Sequence, residues 1–374
     1  MATTDDTSFV TLDGVRGYGA LIVVFAHSMV FYAGLTSAQP HGPFVVDTFF
    51  MLSGFVIAYA YEPRLHRGMS RTTFMLQRLV RLYPLYLLGI LFGVVVYFSG
   101  LGGPEVQELP GRLIQLVPQL LFLPAPDFFN ENHVYPLDFP AWSMFFELFI
   151  NLVYILAWPI LKKTYAVVIA VGIGIAGLFV TTYFYGSLDT GPHWSTFWGG
   201  FSRVGFGFFA GVLLFRLAGS PTKPVMRTGW LWAIPWLLMP VLIFVPATPQ
   251  TRPIIDIALS VLFAPLLTWT SMKLKPPKAL IPLFTYGGAI SYAIYVLHFP
   301  MFEVARHVAW RLETVSAIGT AAAGVAFIAV VVVVSMAAER YFDVPVRRWL
   351  NKKLKGKRPA TTPRSVAPQR TQAG

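Results

Sequence analysis

The chain has 374 residues, 55% of them hydrophobic and 12% charged, with a mean hydropathy of +0.61. Soluble domains carry about 25% charged residues, so this composition excludes an ordinary soluble protein and indicates a polytopic membrane protein. The net charge of +12 falls in short loops and a C-terminal tail, which orients membrane proteins and does not suggest nucleic-acid binding, and the absence of cysteine excludes disulfides, thiolate metal sites, a cysteine nucleophile and palmitoylation.

The first eight residues, MATTDDTS, lack the basic region of a cleaved signal peptide, so the first apolar run is expected to be a retained helix. That span is read from Asp13 to Ala33 and the second from Phe44 to Tyr61. A basic loop, EPRLHRGMSR, precedes a third span from Thr73 to Phe98, where Pro84 marks an expected kink. Residues 113–124, LIQLVPQLLFLP, are too short to cross comfortably and read as interfacial or re-entrant. Further spans follow at Ala141–Leu161, Tyr165–Tyr185, Phe197–Leu217, Trp230–Val245, Ile254–Met272, Ile281–Ala305 and Val315–Ala338. About ten spans then place Arg64 to Arg81, Lys162 and Lys163, Arg216 to Arg227, Lys273 to Lys278 and the tail on one side. By the positive-inside rule that side is cytoplasmic and holds both termini. The expected architecture is an all-α transmembrane bundle over residues 1–349, with a basic disordered tail over 350–374. Gly207 and Gly211 form a small-xxx-small face, a weak indication of helix pairing that leaves the oligomeric state open.

The stretch LDGVRGYGALIVVFAH puts Asp13, Arg16 and His27 on one helix face. Arg16 and His27 are about 16 Å apart along the axis. An ionisable group inside a span is a functional-site hypothesis by default. Counting depth at about 1.5 Å per residue separates two groups. Arg16, Arg78 and Arg81 are basic and cytoplasmic; His27, Asp47, Glu147 and His298 are acids and imidazoles in the outer half. Trp142 and Ser143 accompany Glu147, Ser53 lies deeper than Asp47, Ser291 falls near mid-depth, and Arg203 and Asp256 enter from outside. Plainer readings exist for several of these. Arg78 and Arg81 suit positive-inside anchors, Trp142 an interfacial aromatic, and Tyr292 and Tyr295 lipid-facing residues. Zinc on His27, His298 and Glu147 is conceivable on ligand type, but no tight ligand pair supports it and no metal is expected. Intramembrane His, Asp and Glu also suit a proton-coupled transporter.

Five stretches in this order resemble the acyltransferase-3 family of bacterial integral-membrane O-acyltransferases. They are LDGVRGYGALIVVFAH, with Arg16 and His27; FVVDTFFMLSGFVI, with Asp47 and Ser53; FMLQRLVRLYPLYLL, with Arg78 and Arg81; PAWSMFFELF, with Trp142, Ser143 and Glu147; and ISYAIYVLHFP, with Ser291, Tyr292 and His298. ERYFDVPVRRW looks like the family's closing E-x-P element, with Asp343 where glutamate is usual, and no appended esterase-like domain is expected. The resemblance implies a multi-pass protein of the bacterial inner membrane. It would move an acyl group, acetyl by expectation, from cytoplasmic acyl-CoA to a hydroxyl of an extracytoplasmic glycan or lipid-linked sugar, or of a small molecule such as a macrolide. It implies that Arg16, Arg78 and Arg81 hold the CoA phosphates, since guanidinium binds phosphate bidentately. His27 would be the general base or be transiently acylated, with Glu147 or Asp47 orienting it. Asp13, Ser53, Trp142, Ser143, Ser291, Tyr292, His298 and Arg203 would surround the substrates.

Overall fold

The computed structural model describes residues 9–32, 41–99, 109–218, 233–274, 276–310 and 317–356. Residues 33–40 between the first two expected spans, the basic residues at 219–232 and the tail beyond Gly356 lie outside them. Among the described residues the protein is an all-α membrane bundle without strands; one isolated bridge pairs His133 with His193. Its helices are α1 (Val10–His27), α2 (Gly42–His66), α3 (Arg71–Phe98), α4 (Leu109–Leu120), α5 (Ala141–Leu156), α6 (Trp158–Leu161) and α7 (Thr164–Tyr185). They continue with α8 (Gly199–Ala218), α9 (Ile234–Ile243), α10 (Arg252–Ala258), α11 (Ala264–Lys273), α12 (Ile281–Trp310), α13 (Ala317–Ala337) and α14 (Val344–Gly356). A π-helical turn, Leu259–Phe263, joins α10 to α11, and another, Ala338–Asp343, joins α13 to α14.

Among the described residues, seven helical stretches are long and apolar enough to cross a membrane. Apolar side chains such as Val95, Ile173, Leu262 and Val333 point outward, as a lipid-facing surface requires. α3 runs through Pro84 as one helix, and α14 carries helix to Gly356, into the stretch read as tail.

Two long helix pairs organise the bundle: α1 against α12, and α2 against α8. Both use glycine for close approach. A Cβ at Gly17 would lie 2.7 Å from the Gly287 carbonyl carbon, so α1 and α12 meet backbone to backbone. Gly211 likewise sits on the Met51 carbonyl of α2, and Gly207 on Phe50 and Asp47. The small-residue face of α8 is therefore engaged within the chain, and it gives no evidence about oligomers.

Residues 109–140 form an unusual insertion. α4 turns its polar residues Arg112, Gln115 and Gln119 inward and exposes Leu113, Ile114 and Val117. At 12 residues it is too short to span. The irregular segment that follows is buried, with Ala125, Val134, Tyr135 and Asp138 fully covered. Buried irregular backbone needs partners. Tyr83 Oη donates to Leu120 O, Gln115 Nε2 donates to Pro126 O, and Leu137 N donates to Gln119 Oε1. Gly93 of α3 admits the Leu137 carbonyl. The consequence is that α5 begins inside the bundle, not at its rim.

Candidate active site

The histidine end of the α1–α12 pair holds two imidazoles. His298 Nδ1 lies 3.1 Å from Ile294 O, and His27 Nδ1 lies 3.0 Å from Val23 O. A carbonyl only accepts, so each Nδ1 carries the proton. His298 Nε2 is 3.3 Å from His27 Nδ1 and accepts a share of that N–H. His27 Nε2 is left as the nitrogen with a lone pair, the atom a general base or nucleophile needs. Around the His27 ring stand Phe139 and Phe299, 6.2 and 5.9 Å away by centroid. Neither Glu147 nor Asp47 is a hydrogen-bond partner of His27. The side chain beside His27 Nδ1 is instead that of His298, four residues beyond Ile294 on α12.

Further along the same helix pair lies a cavity of about 170 Å³. Arg16, Ser53, Arg78, Arg81, Ser143, Glu147, Ser291 and Tyr292 all line it, with Tyr295. Arg16 donates to Asp13 Oδ1 at 3.0 Å and to Gly288 O at 2.7 Å. Arg78 Nη2 donates to Glu147 Oε1 at 2.7 Å, and Ser53 Oγ donates to the same oxygen at 2.9 Å. Arg81 packs over the Tyr292 ring, with its guanidinium carbon 5.6 Å from the centroid. Buried donors remain without a hydrogen-bond partner: Arg78 Nε and Arg81 Nη1. A buried unmatched guanidinium donor costs free energy unless an acceptor reaches it, so the wall is suited to an anion.

One member of the outer depth group, Glu147, joins the three arginines here. Depth counting put Glu147 in the outer half beside His27, yet it pairs with Arg78. The buried irregular segment 121–140 precedes α5, whose first residues, Ala141 to Met144, are themselves buried. Glu147 lies about 9 Å into α5 and Arg78 about 10 Å into α3. The zinc set is not assembled, since Glu147 is held by Arg78 and Ser53.

Asp47 and Arg203 lie together elsewhere. Neither lines the cavity. Arg203 is 1% exposed and donates to Asp47 Oδ1 at 2.8 Å, Thr190 O at 2.6 Å and Pro43 O at 2.9 Å. Asp47 also accepts from Ser260 at 2.5 Å. Trp142 covers the guanidinium, 5.2 Å from its ring centroid, and is buried rather than interfacial. This buried pair binds α2 to α8, with α5 contributing the Trp142 face, and each Arg203 nitrogen already has a protein acceptor. Asp256 is likewise structural, holding His41 Nδ1 at 2.7 Å and Leu188 N at 2.9 Å.

Sequence reasoning left Tyr292 and Tyr295 with a plain lipid-facing option. Instead Tyr292 Oη donates to Leu82 O at 2.7 Å, and Tyr295 Oη meets Ser143 Oγ at 2.7 Å. Tyr295 also packs against His298, ring centroids 6.0 Å apart. The imidazole pair is thus one side chain beyond the cavity wall. The i, i+3, i+4 spacing of Ser291, Tyr292, Tyr295 and His298 along α12 was the available signal. Phe139, which faces His27 from the inserted segment, carried none.

A helix bundle with an imidazole base beside an arginine-lined cavity is the architecture of a membrane group-transfer enzyme. The family model described as an acyltransferase domain, of the acyltransferase-3 family, matches residues 9–340, and the chain belongs to that family. It is an O-acyltransferase, and the carrier alternative falls with that membership. The chain is 41% identical over 164 residues to "Protein 2 in picA locus" of Rhizobium radiobacter, covering 41% of this chain and 84% of that protein. It is 32% identical over 202 residues to "Acyltransferase MdmB" of Streptomyces mycarofaciens, spanning 49% of each. No solved structure matches it.

Proposed function

We propose that the protein transfers an acyl group, acetyl by expectation, from acyl-CoA at the arginine end to a hydroxyl of a glycan or lipid-linked sugar reaching the histidine end. In this reading the arginine end faces the cytoplasm of a bacterial inner membrane. The arrangement of basic loops supports that orientation. The observation that carries the proposal is the placement of the His27–His298 imidazole pair one side chain beyond a cavity lined by Arg16, Arg78 and Arg81.

The cavity is smaller than the roughly 300–1,000 Å³ of a site that encloses a whole ligand. It suits the acyl end of the donor, with the phosphates outside it against Arg16 and Arg81. His27 Nε2 takes the proton of the acceptor hydroxyl as its oxygen attacks the thioester carbonyl. The carbon–sulfur bond breaks, and the proton passes to the departing thiolate. The imidazolium that forms in between is stabilised by Val23 O and His298 Nε2, both acceptors toward its Nδ1–H. Ser53 and Arg78 hold Glu147 against the cavity wall, and Ser291 and Ser143 offer hydroxyls near the carbonyl.

The test compares ester-linked acyl groups on surface glycans of the native host, by mass spectrometry, between wild type and His27→Ala at equal membrane abundance. Loss of one acyl ester is expected, with purified protein losing roughly 10²–10⁴ in transfer rate. Full transfer by the variant would overturn the role of His27.

A further inference from the structure

The π-helical turn Ala338–Asp343 carries the chain back over the arginine end of the cavity, and α14 then packs against α3. π-turns within helices concentrate at functional sites. This one buries Asp343 completely and places Arg347 one turn later on the same face. Arg347 Nη2 lies 2.6 Å from Asp343 Oδ2, and Arg81 Nη1 lies 3.6 Å from the same oxygen. One carboxylate therefore stands between two guanidiniums. Neither contact has hydrogen-bond geometry: both Asp343 oxygens, Arg81 Nη1 and Arg347 Nε are buried without a hydrogen-bond partner. Arg16 also lies within electrostatic reach of Arg81.

Asp343, with Glu339 3.9 Å from Arg347 Nη2, offsets part of this charge, but a buried guanidinium donor left unmatched is costly unless a further acceptor reaches it. We propose that Arg347, together with Arg81, forms a clamp for a phosphate group at the mouth of the cavity, and that in the reading given above this phosphate belongs to the nucleotide part of the donor. Asp343 is the positioning residue that aims both forks. The fork geometry explains arginine at both places, because a planar guanidinium meets two phosphate oxygens at once. The same chemistry could come from a lipid headgroup, since α14 also presents Arg348, Trp349 and Lys353 at its exposed face.

The experiment measures binding of CoA and of pantetheine, which lacks the nucleotide, to full-length protein in neutral-lipid nanodiscs. Arg347→Gln is expected to weaken CoA about 10- to 100-fold and to leave pantetheine unchanged. Arg347→Lys, which keeps a charge opposite Asp343, is expected to fall between, and the exposed neighbour Arg348→Gln to match wild type. Equal CoA affinity in Arg347→Gln overturns the clamp, as does an equal loss for pantetheine. Inorganic pyrophosphate is the third probe: an Arg347-dependent affinity for it, with no CoA binding by wild type, would uphold the clamp and defeat the CoA reading. If Arg347→Gln instead changes only the preference for phosphatidylglycerol-containing vesicles, the site is a lipid contact and the donor assignment is overturned.

Discussion

The α1–α12 and α2–α8 pairs are built alike and used differently. Each is a glycine-mediated contact between long helices, and each carries an arginine with a carboxylate partner. In α2–α8 the arginine is closed. Arg203 is engaged by Asp47, two carbonyls and the Trp142 face, and all of it is out of reach. Along α1–α12 and its neighbours the arginines are open: Arg16 is 27% exposed along its side chain, Arg81 30%, and buried donors go unmatched. The difference separates a buried ion pair that fastens helices from a set of charges kept for a ligand. Ion pairing alone does not mark a site; unmatched donors beside a cavity do.

The largest effect should come from breaking the closed pair. Arg203→Ala leaves Asp47 buried without its counter-charge, and about 3–5 kcal/mol of stability is expected to go, read as a lower thermal midpoint in detergent. Arg16→Gln should cost little stability and still weaken donor affinity. If the two variants behaved alike in both assays, the distinction between closed and open arginines would fail. A smaller effect is expected at the imidazole pair. His298→Ala removes the acceptor that orients His27, so kcat should fall on the order of 10- to 100-fold with donor affinity unchanged, by analogy with other supporting groups around reactive ligands. His298→Gln, which keeps an acceptor, should restore part of it. A matching loss in donor affinity would make His298 merely structural.

The smallest effect concerns the inserted segment. Burial, with the neighbouring His193 adding to it, holds the His133 imidazole below its ordinary value of 6.5, while Glu131, Asp127 and Glu303 act the other way. The folded protein therefore refuses a proton that the unfolded chain accepts. Stability from this group is fully present above pH 6.5 and is lost as the pH falls from there through the folded value. Amide protection factors in residues 121–140, corrected for the intrinsic rate, should accordingly fall between pH 7.5 and 5.5, and His133→Gln should flatten that dependence. An unchanged pH profile in the variant would assign the effect elsewhere.

Much of the site could be read from order and spacing. Arg16 and His27 share a face of α1 because the helical period dictates it, whatever surrounds them. Ser291, Tyr292 and His298 fall along one side of α12 for the same reason. What misled was depth. A hydropathy reading assumes that each span begins at the rim, and α5 does not, because polar side chains of α3 and α4 hold an irregular segment inside the bundle. Glu147 thereby moved from the imidazoles to Arg78. Asp47 and Arg203 looked like site residues because a sequence shows charges without their partners.

The amino-acid sequence by itself determined the membrane class, the helices and the family, since these rest on local hydropathy, helical period and motif order along one chain. Only the tertiary structure decided which carboxylate met which arginine, that an imidazole rather than an acid lies beside His27, and that Arg347 and Arg81 approach the same carboxylate. Those outcomes depend on contacts between residues tens to hundreds of positions apart, where a one-turn shift in how deep a helix begins changes every partner.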